Sequence, residues 1–144
     1  MTTKTFPARS PADKVGDLVY FGRMLDKIRA HARGELPDDY VPNLGKGFDG
    51  RCLRFLHLKY DDLVAATKKG GSDEELLEWA YKNGRKPSDE EIEIWSEFMR
   101  KAGWNDDVTE TVDRRKRESG LTNRDDIRTM FNFIDADEGR APQS

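Results

Sequence analysis

The sequence predicts an all-α fold in which about six helices form one compact single domain. Apolar residues recur at helical spacing, as in residues 127–134, where Ile, Met, Phe and Ile occupy positions i, i+3, i+4 and i+7. Ser72 and Ser88 each precede a glutamate by three residues, which is the capping-box pattern of a helix start. No segment alternates apolar and polar residues between turn signals as a strand does. These observations favour helices throughout the chain.

The length and composition are those of one folded domain. A chain of 144 residues can bury roughly two thirds of the surface that its unfolded form exposes. Although the mean hydropathy is only -0.88, an aromatic content of 10% argues against disorder. Residues 1–12 contain two prolines and no apolar period. We therefore predict a flexible N-terminal arm over residues 1–12 and a single helical domain over residues 13–140.

The charge and the cysteine content exclude several classes of protein. A net charge of -3 gives no global basic field, which argues against a nucleic-acid partner. The single cysteine, Cys52, excludes an internal disulfide and any cysteine-cluster metal site. No apolar run is long enough to span a bilayer, and no signal-peptide core is present. We expect a cytoplasmic protein that does not bind membranes.

The first half of the chain predicts two helices joined by a long loop. Apolar spacing indicates a first helix over residues 17–33, and Gly34 follows where a left-handed C-terminal cap is expected. Residues 35–50 contain two prolines and three glycines, which predicts a long structured loop. The next helix, about residues 50–66, is apolar on nearly every side. Such a helix should lie at the centre of the fold.

The second half predicts four more helices. The fourth helix of the chain should end at Gly103, in a turn that lays Trp104 back against the helix. The helix over residues 106–119 has few apolar residues and should lie on the surface. The predicted starts of the four helices are Ser72, Ser88, residue 106 and a cap at Thr122 or Asn123.

The glycine-rich loop is the most distinctive local feature. Three glycines within residues 45–50 precede a helix and could present backbone amides to an anion, with Lys46 and Arg51 supplying positive charge. The spacing is neither that of a nucleotide-hydrolase phosphate loop nor that of a dinucleotide-binding fingerprint. A purely structural interpretation is also available, in which Asp49 caps the helix itself and the glycines only permit tight turns.

The concentration of glycine and charge predicts a polar pocket and a binding function. The occupant would be a protein partner or a small anionic ligand. No catalytic residue is assigned in this interpretation. The predicted ligand-binding residues are Tyr40, Asn43, Lys46, Asp49, Arg51 and His57.

An enzyme or sensor acting on a small anion is the alternative. Histidine is the residue type that most often performs acid–base chemistry near neutral pH, and the chain has only His31 and His57. In this hypothesis one of the two histidines would act with Arg51 as an electrostatic clamp. The hypothesis requires that a histidine and Arg51 open into one cleft.

A second alternative is weak nucleic-acid binding through the basic run Arg114–Arg117. The simpler explanation is that cations near the C-terminus of a helix favour its dipole. The histidine spacing matches no zinc motif, and residues 135–139 depart from the spacing of a calcium loop. We expect neither a metal nor another cofactor.

Several long segments resemble a bacterial family described only as a domain of unknown function. The segments are RMLDKIRAHARGELPDDY (residues 23–40), NLGKGFDGRC (43–52), EIEIWSEFMRKAGW (91–104) and DDIRTMFNFIDADEGR (125–140). They occur in one order over roughly residues 15–140. The resemblance implies a single intact domain and implies no activity.

Overall fold

The computed structural model describes residues 6–141, which form seven α-helices, one short 3-10 helix and one small β-hairpin. The prediction of an all-α single domain is confirmed. The α-helices are α1 (Phe21–Ala32), α2 (Phe48–Leu56), α3 (Tyr60–Lys68), α4 (Asp73–Asn83), α5 (Asp89–Lys101), α6 (Thr109–Glu118) and α7 (Met130–Asp137). The other elements are β1 (Lys14–Val15), β2 (Leu18–Val19) and the 3-10 helix (Asp38–Asn43).

Strand β2 of the hairpin occupies residues that the sequence predicted to be the start of the first helix, whereas β1 lies before that predicted helix. The two strands pair antiparallel, with Val15 opposite Leu18, and Gly16 turns the chain at a φ of +58°. The Ser96 hydroxyl on α5 donates to the Asp17 carbonyl at 3.2 Å, which ties the hairpin to that helix. Tyr20 has a φ of 73°, so α1 begins only at the next residue. Leu18 had suggested helix because it lies at helical spacing from the apolar residues of α1.

The predicted continuous helix at about residues 50–66 is two helices, α2 and α3. His57 adopts the left-handed conformation, with φ 57° and ψ 46°, and ends α2. The Leu58 N–H donates to the Leu53 carbonyl at 2.9 Å, which closes a Schellman-type ending. Arg85 donates from its backbone N–H to the Leu56 carbonyl at 2.9 Å. The carbonyls at the end of α2 are therefore satisfied by a distant segment rather than by another helical turn.

The main core lies between α1, α2 and the hairpin, with side chains from α3, α4, α5 and α7. The break at His57 explains why apolar residues of this region point in nearly every direction, since two helices bury separate faces. The most deeply buried members of the main core are Leu18, Phe21, Met24, Leu25, Cys52, Leu56, Leu63, Ala80 and Met99. A second cluster joins α6 to α7 and consists of Val112, Ile127, Met130 and Phe133.

The predicted flexible arm is docked from Phe6 onward, and residues 1–5 lie outside the described residues. The Phe6 ring contacts the Tyr40 ring, with centroids 4.7 Å apart. The Arg9 guanidinium binds Asp26 on α1 at 2.8 Å and Asp73 on α4 at 2.9 Å. These ion pairs join three segments, and a composition-based prediction cannot detect them because the partners are distant in sequence.

The second half follows the prediction in part. Both serine capping boxes form, and α6 buries only Val112, as expected for a surface helix. Trp104 does not fold back on α5, because the chain turns away at Gly103 and leaves the tryptophan 60% exposed. The last helix begins at Met130 rather than after residue 123, since Thr129 and Asn132 form its capping box.

Truncation of Leu56 tests the position of the core. Leu56 is fully buried at the end of α2, so Leu56→Ala should lower the free energy of unfolding by about 2 to 5 kcal/mol. Denaturant titration measures this loss. The control Val41→Ala removes methyl groups from an exposed side chain and should change stability by less than about 0.5 kcal/mol. A loss at Leu56 no larger than that of the control would show that the core is misplaced.

Candidate functional site

One cleft brings together most of the residues predicted to bind a ligand. It has a volume of about 400 Å³ and is enclosed by α1, the 3-10 helix, the glycine-rich loop, the start of α2, α6 and α7. Its polar lining consists of Tyr20, Arg23, Lys27, Asp39, Tyr40, Asn43, Lys46, Arg51, Thr111, Arg115, Asp137 and Glu138. Its apolar lining consists of Phe48, Val108, Met130, Phe133 and Ile134.

The glycine-rich loop forms the mouth of the cleft. Gly45 has a φ of +76°, and a β-carbon there would lie 2.9 Å from the Tyr60 ring, so the loop can pass Tyr60 only as glycine. The Gly45 N–H donates to the Asp49 carboxylate at 3.0 Å. Asp49 is not the N-cap of α2, since that position is Gly47 and makes no side-chain cap bond. The structural interpretation of Asp49 is corrected accordingly: its carboxylate holds the loop rather than capping the helix.

Asp49, Lys27 and Tyr20 form a buried polar cluster at the cleft floor. The Asp49 Oδ1 atom accepts from the Lys27 ammonium at 2.7 Å and from the Tyr20 hydroxyl at 2.6 Å. The Lys27 ammonium also donates to the Tyr20 hydroxyl oxygen at 3.2 Å. Burial lowers the pKa of Lys27, and the nearby Asp49 carboxylate offsets part of that effect. Burial, reinforced by Asp49, raises the pKa of Tyr20.

Glu138 organises the opposite wall. Its two carboxylate oxygens accept from the Arg23 guanidinium at 2.8 and 2.6 Å, and both side chains of this pair are 3% exposed. The Tyr40 hydroxyl donates to Glu138 at 2.9 Å, and Arg140 donates to it at 2.5 Å. Burial and the adjacent Glu138 carboxylate raise the pKa of Tyr40. The charges of this wall are therefore already paired, although the buried Nε atom of Arg23 has no hydrogen-bond partner among the described residues.

Three cations that line the cleft are not paired in this way. Lys46, Arg51 and Arg115 make no ion pair with any carboxylate of residues 6–141. The Arg51 guanidinium lies 5.0 Å from the centre of the Phe48 ring and 5.5 Å from that of Phe98. Its Nη1 atom is buried and has no hydrogen-bond partner among the described residues. An unpaired buried guanidinium nitrogen is costly unless another group accepts its hydrogen bond.

The predicted site residues divide into three groups. Tyr40, Asn43, Lys46 and Arg51 line the cleft. Asp49 is fully buried beneath it and supports the loop. His57 lies elsewhere, in an open groove of about 720 Å³ between α3 and α4. The left-handed turn at His57 directs the chain away from the cleft, so a helical extrapolation from Arg51 cannot place this histidine.

Neither histidine shares a cleft with Arg51. His31 is exposed near the C-terminus of α1 and lines none of the described cleft. His57 is exposed in the other groove. The condition stated for the enzyme hypothesis, a histidine and Arg51 opening into one cleft, is therefore not met by these side chains.

The basic run on α6 is divided between different surroundings. Arg114 pairs with Glu118 at 3.6 Å, and Lys116 donates to the Ile127 carbonyl at 3.3 Å. Arg115 instead lines the cleft. The side chains of the run therefore have different surroundings, and weak nucleic-acid binding through them stays a prediction.

The sequence interpretation missed the cleft residues at and just before the start of α1. Tyr20, Arg23 and Lys27 lie at positions i, i+3 and i+7 of the sequence, which is the spacing of one helical face. This spacing of Arg23 and Lys27 with Tyr20 could have indicated a buried polar site from the sequence. Glu138 gave no such signal, because its partner Arg23 is 115 residues away in the sequence.

Other classes of site receive no support from the described residues. Within residues 6–141, no three His, Cys, Asp or Glu side chains converge so as to hold a metal ion. Cys52 is fully buried, and burial raises the pKa of its thiol. Of the helices described, none combines the length and the hydrophobicity needed to cross a bilayer.

The fold and the cleft define a small all-α domain with a polar, ligand-sized cleft built around buried ion pairs. The chain belongs to the family described as Domain of unknown function (DUF5069), which matches residues 4–140. No curated protein matches the chain. The family description assigns no activity, so a function has to be argued from the cleft.

Removal of the Asp49 charge tests the cleft floor. Asp49→Asn keeps the size of the side chain but leaves the Lys27 ammonium without its counter-ion, which should cost about 3 to 5 kcal/mol of stability. The measurement is the free energy of unfolding in denaturant. Glu35→Gln removes one partner of an exposed ion pair, with side chains 53% and 56% exposed, and should have little effect.

The same variant should also change the dependence of stability on pH. The folded-state pKa of Lys27 is below its ordinary value, and the loss of Asp49 lowers it further. Between the two pKa values the unfolded state binds more protons, so stability should rise as the pH increases from the lowered folded-state pKa to about 10. Lys27→Met in the same background removes the titrating group and should abolish this rise. An unchanged slope would contradict the role of the pair.

Proposed function

We propose that this protein is a binding module whose cleft takes a small organic anion with an apolar part. The observation that carries the proposal is a set of three cations at the cleft, Lys46, Arg51 and Arg115, which have no ion-pair partner among residues 6–141. Arg51 also has a buried nitrogen without a hydrogen-bond partner among the same residues. A carboxylate or phosphate group on the ligand would accept that hydrogen bond. Guanidinium groups suit both anions because they can donate two parallel hydrogen bonds.

The ion pairs support this proposal because they neutralise the cations beneath the cleft and leave its net charge to the remaining lining residues. Arg23 is neutralised by Glu138, and Lys27 is neutralised by Asp49. These pairs contribute shape and rigidity but little net charge. The remaining lining includes three cations and the acidic Asp39 and Asp137. Both acids are exposed, as are Lys46 and Arg115, so Arg51 is the only partly buried charge among these five. An anion bound beside Arg51 would be attracted more strongly than one beside an exposed charge, because the Arg51 charge is partly buried.

The apolar lining supports a ligand that is more than an inorganic ion. Phe48, Met130 and Phe133 contribute aromatic and flexible apolar surface to one side of the cleft. The volume of about 400 Å³ lies in the range of about 300 to 1,000 Å³ that small-molecule sites occupy. An aromatic or aliphatic carboxylate, or a phosphate ester of similar size, fits both the charge and the surface.

Binding is favoured over catalysis because the polar groups of the floor are already engaged with one another. Lys27 and Tyr20 both bond to Asp49, so neither presents a free proton acceptor to a ligand. Neither histidine lines the cleft. The ligand would be recognised by its charge and shape, without a residue positioned to transfer a proton.

We also propose that the protein is bacterial and cytoplasmic. The bacterial origin rests on the resemblance of its long segments to a bacterial family, and the cytoplasmic location rests on composition. A single cysteine and the absence of a long apolar run in the sequence suit a reducing compartment. Recovery of the tagged protein from its own cells would identify both the compartment and the bound molecules.

Loss of the unpaired cations tests the proposed function. The ligand is first sought by native mass spectrometry of the purified protein, and by thermal shift with carboxylates and phosphate esters with and without an aromatic group. Lys46→Met/Arg51→Met keeps the apolar stems and should weaken binding at least about tenfold, because charge-assisted hydrogen bonds contribute about 1.5 to 3 kcal/mol each.

The matched control is Lys59→Met/Lys69→Met, which removes two cations from the other groove. It should leave the affinity unchanged. Equal affinity of the Lys46→Met/Arg51→Met protein and the parent for every ligand found would refute an anion site in this cleft.

A further inference from the structure

The exposed face of α5 is the main apolar feature of the described surface. Only four large apolar side chains among residues 6–141 are exposed, and three of them are close in sequence: Ile94 at 63%, Phe98 at 53% and Trp104 at 60%. Ile94 and Phe98 are one helical turn apart and lie on one face. The opposite face of α5 buries Ile92, Ser96 and Met99. A clustered apolar face on an otherwise polar surface is typical of an interaction site.

The first turn of α5 is acidic and its last turn is basic. The first turn carries Asp89, Glu90 and Glu91, and the last turn carries Arg100 and Lys101. Glu90 and Lys101 lie on the same exposed face as Ile94, one on each side of the apolar pair. Read from the N-terminus of α5, Glu90, Ile94, Phe98 and Lys101 therefore have the order acid, apolar, apolar, base.

This order is complementary to itself when the helix is reversed. If two copies of α5 pack antiparallel about a two-fold axis level with Ser96, Ile94 of each copy lies opposite Phe98 of the other. Glu90 of each copy then lies near Lys101 of the other, and the two helix dipoles oppose favourably. A two-fold interface requires just such a self-complementary surface.

We propose that the exposed face of α5 is a homodimer interface, formed by antiparallel contact with α5 of a second copy of this chain. Trp104 follows the last residue of α5 by three positions and is exposed, so we expect it to extend the contact beyond the helix. A single helix pair with one flanking tryptophan makes a small interface, so the dimer should be reversible and dependent on concentration. The proposal does not depend on the function of the cleft.

The availability of these side chains supports the proposal. Ile94 and Trp104 belong to none of the apolar clusters of the described residues. Lys101 contacts Glu97 only loosely, at 3.6 Å, whereas Arg100 binds Glu97 at 2.6 Å. Lys101 is therefore the cation that remains available for a second copy.

Sedimentation velocity over a range of protein concentrations tests the proposal. The parent chain should shift from monomer to dimer as the concentration rises. Ile94→Glu places a charge at the centre of the contact and should weaken dimerisation at least about tenfold, as expected for a central interface residue. Val41→Glu makes the same kind of change at the exposed apolar residue outside this face and should leave dimerisation intact.

Charge reversal tests the antiparallel geometry. Glu90→Lys or Lys101→Glu alone places like charges opposite one another and should weaken the dimer at low ionic strength. The double variant Glu90→Lys/Lys101→Glu reverses both partners and should restore it. Circular dichroism confirms that each variant is folded before sedimentation.

Three results would overturn the proposal. The first is a parent chain that stays monomeric at every concentration. This result would overturn the proposal even if the face bound a different protein. The second is a dimer that survives Ile94→Glu. The third is a double charge variant that dimerises no better than the two single variants.

Discussion

The buried contact between Asp49 and Lys27 is the interaction on which the rest of the structure depends. One carboxylate joins α1 through Lys27, the segment before α1 through Tyr20, and the glycine-rich loop through the Gly45 N–H. A buried charge of this kind is tolerated only when its partners satisfy it. Because these partners come from separate segments, the contact specifies how α1, the loop and α2 meet.

Glu138 has the same role on the other side of the cleft. It joins α1 through Arg23, the 3-10 helix through Tyr40 and the C-terminal segment through Arg140. Arg140 also donates to the Ala8 carbonyl, so the N-terminal segment is part of the same hydrogen-bond network. The two buried carboxylates neutralise the cations beneath the cleft. The cations that remain at its surface have no such partner among residues 6–141.

Arg51 lies between the cleft and the exposed face of α5. Its guanidinium is close to Phe48, which lines the cleft, and to Phe98, which belongs to the α5 face. The two surfaces are therefore adjacent although they are argued from separate observations. Val41, the remaining large apolar residue that is exposed in the described chain, is outside both.

The sequence by itself determined the features that depend on neighbouring residues. Helical periodicity predicted the all-α class, and the serine capping boxes at Ser72 and Ser88 formed as predicted, because their bonds span only three residues. Tertiary structure decided the break at His57, where the α2 carbonyls bond to Arg85. It also decided the cleft floor, since Lys27 and Asp49 are 22 residues apart, and Arg23 and Glu138 are 115 apart. No local pattern records such partners, because their proximity results from packing.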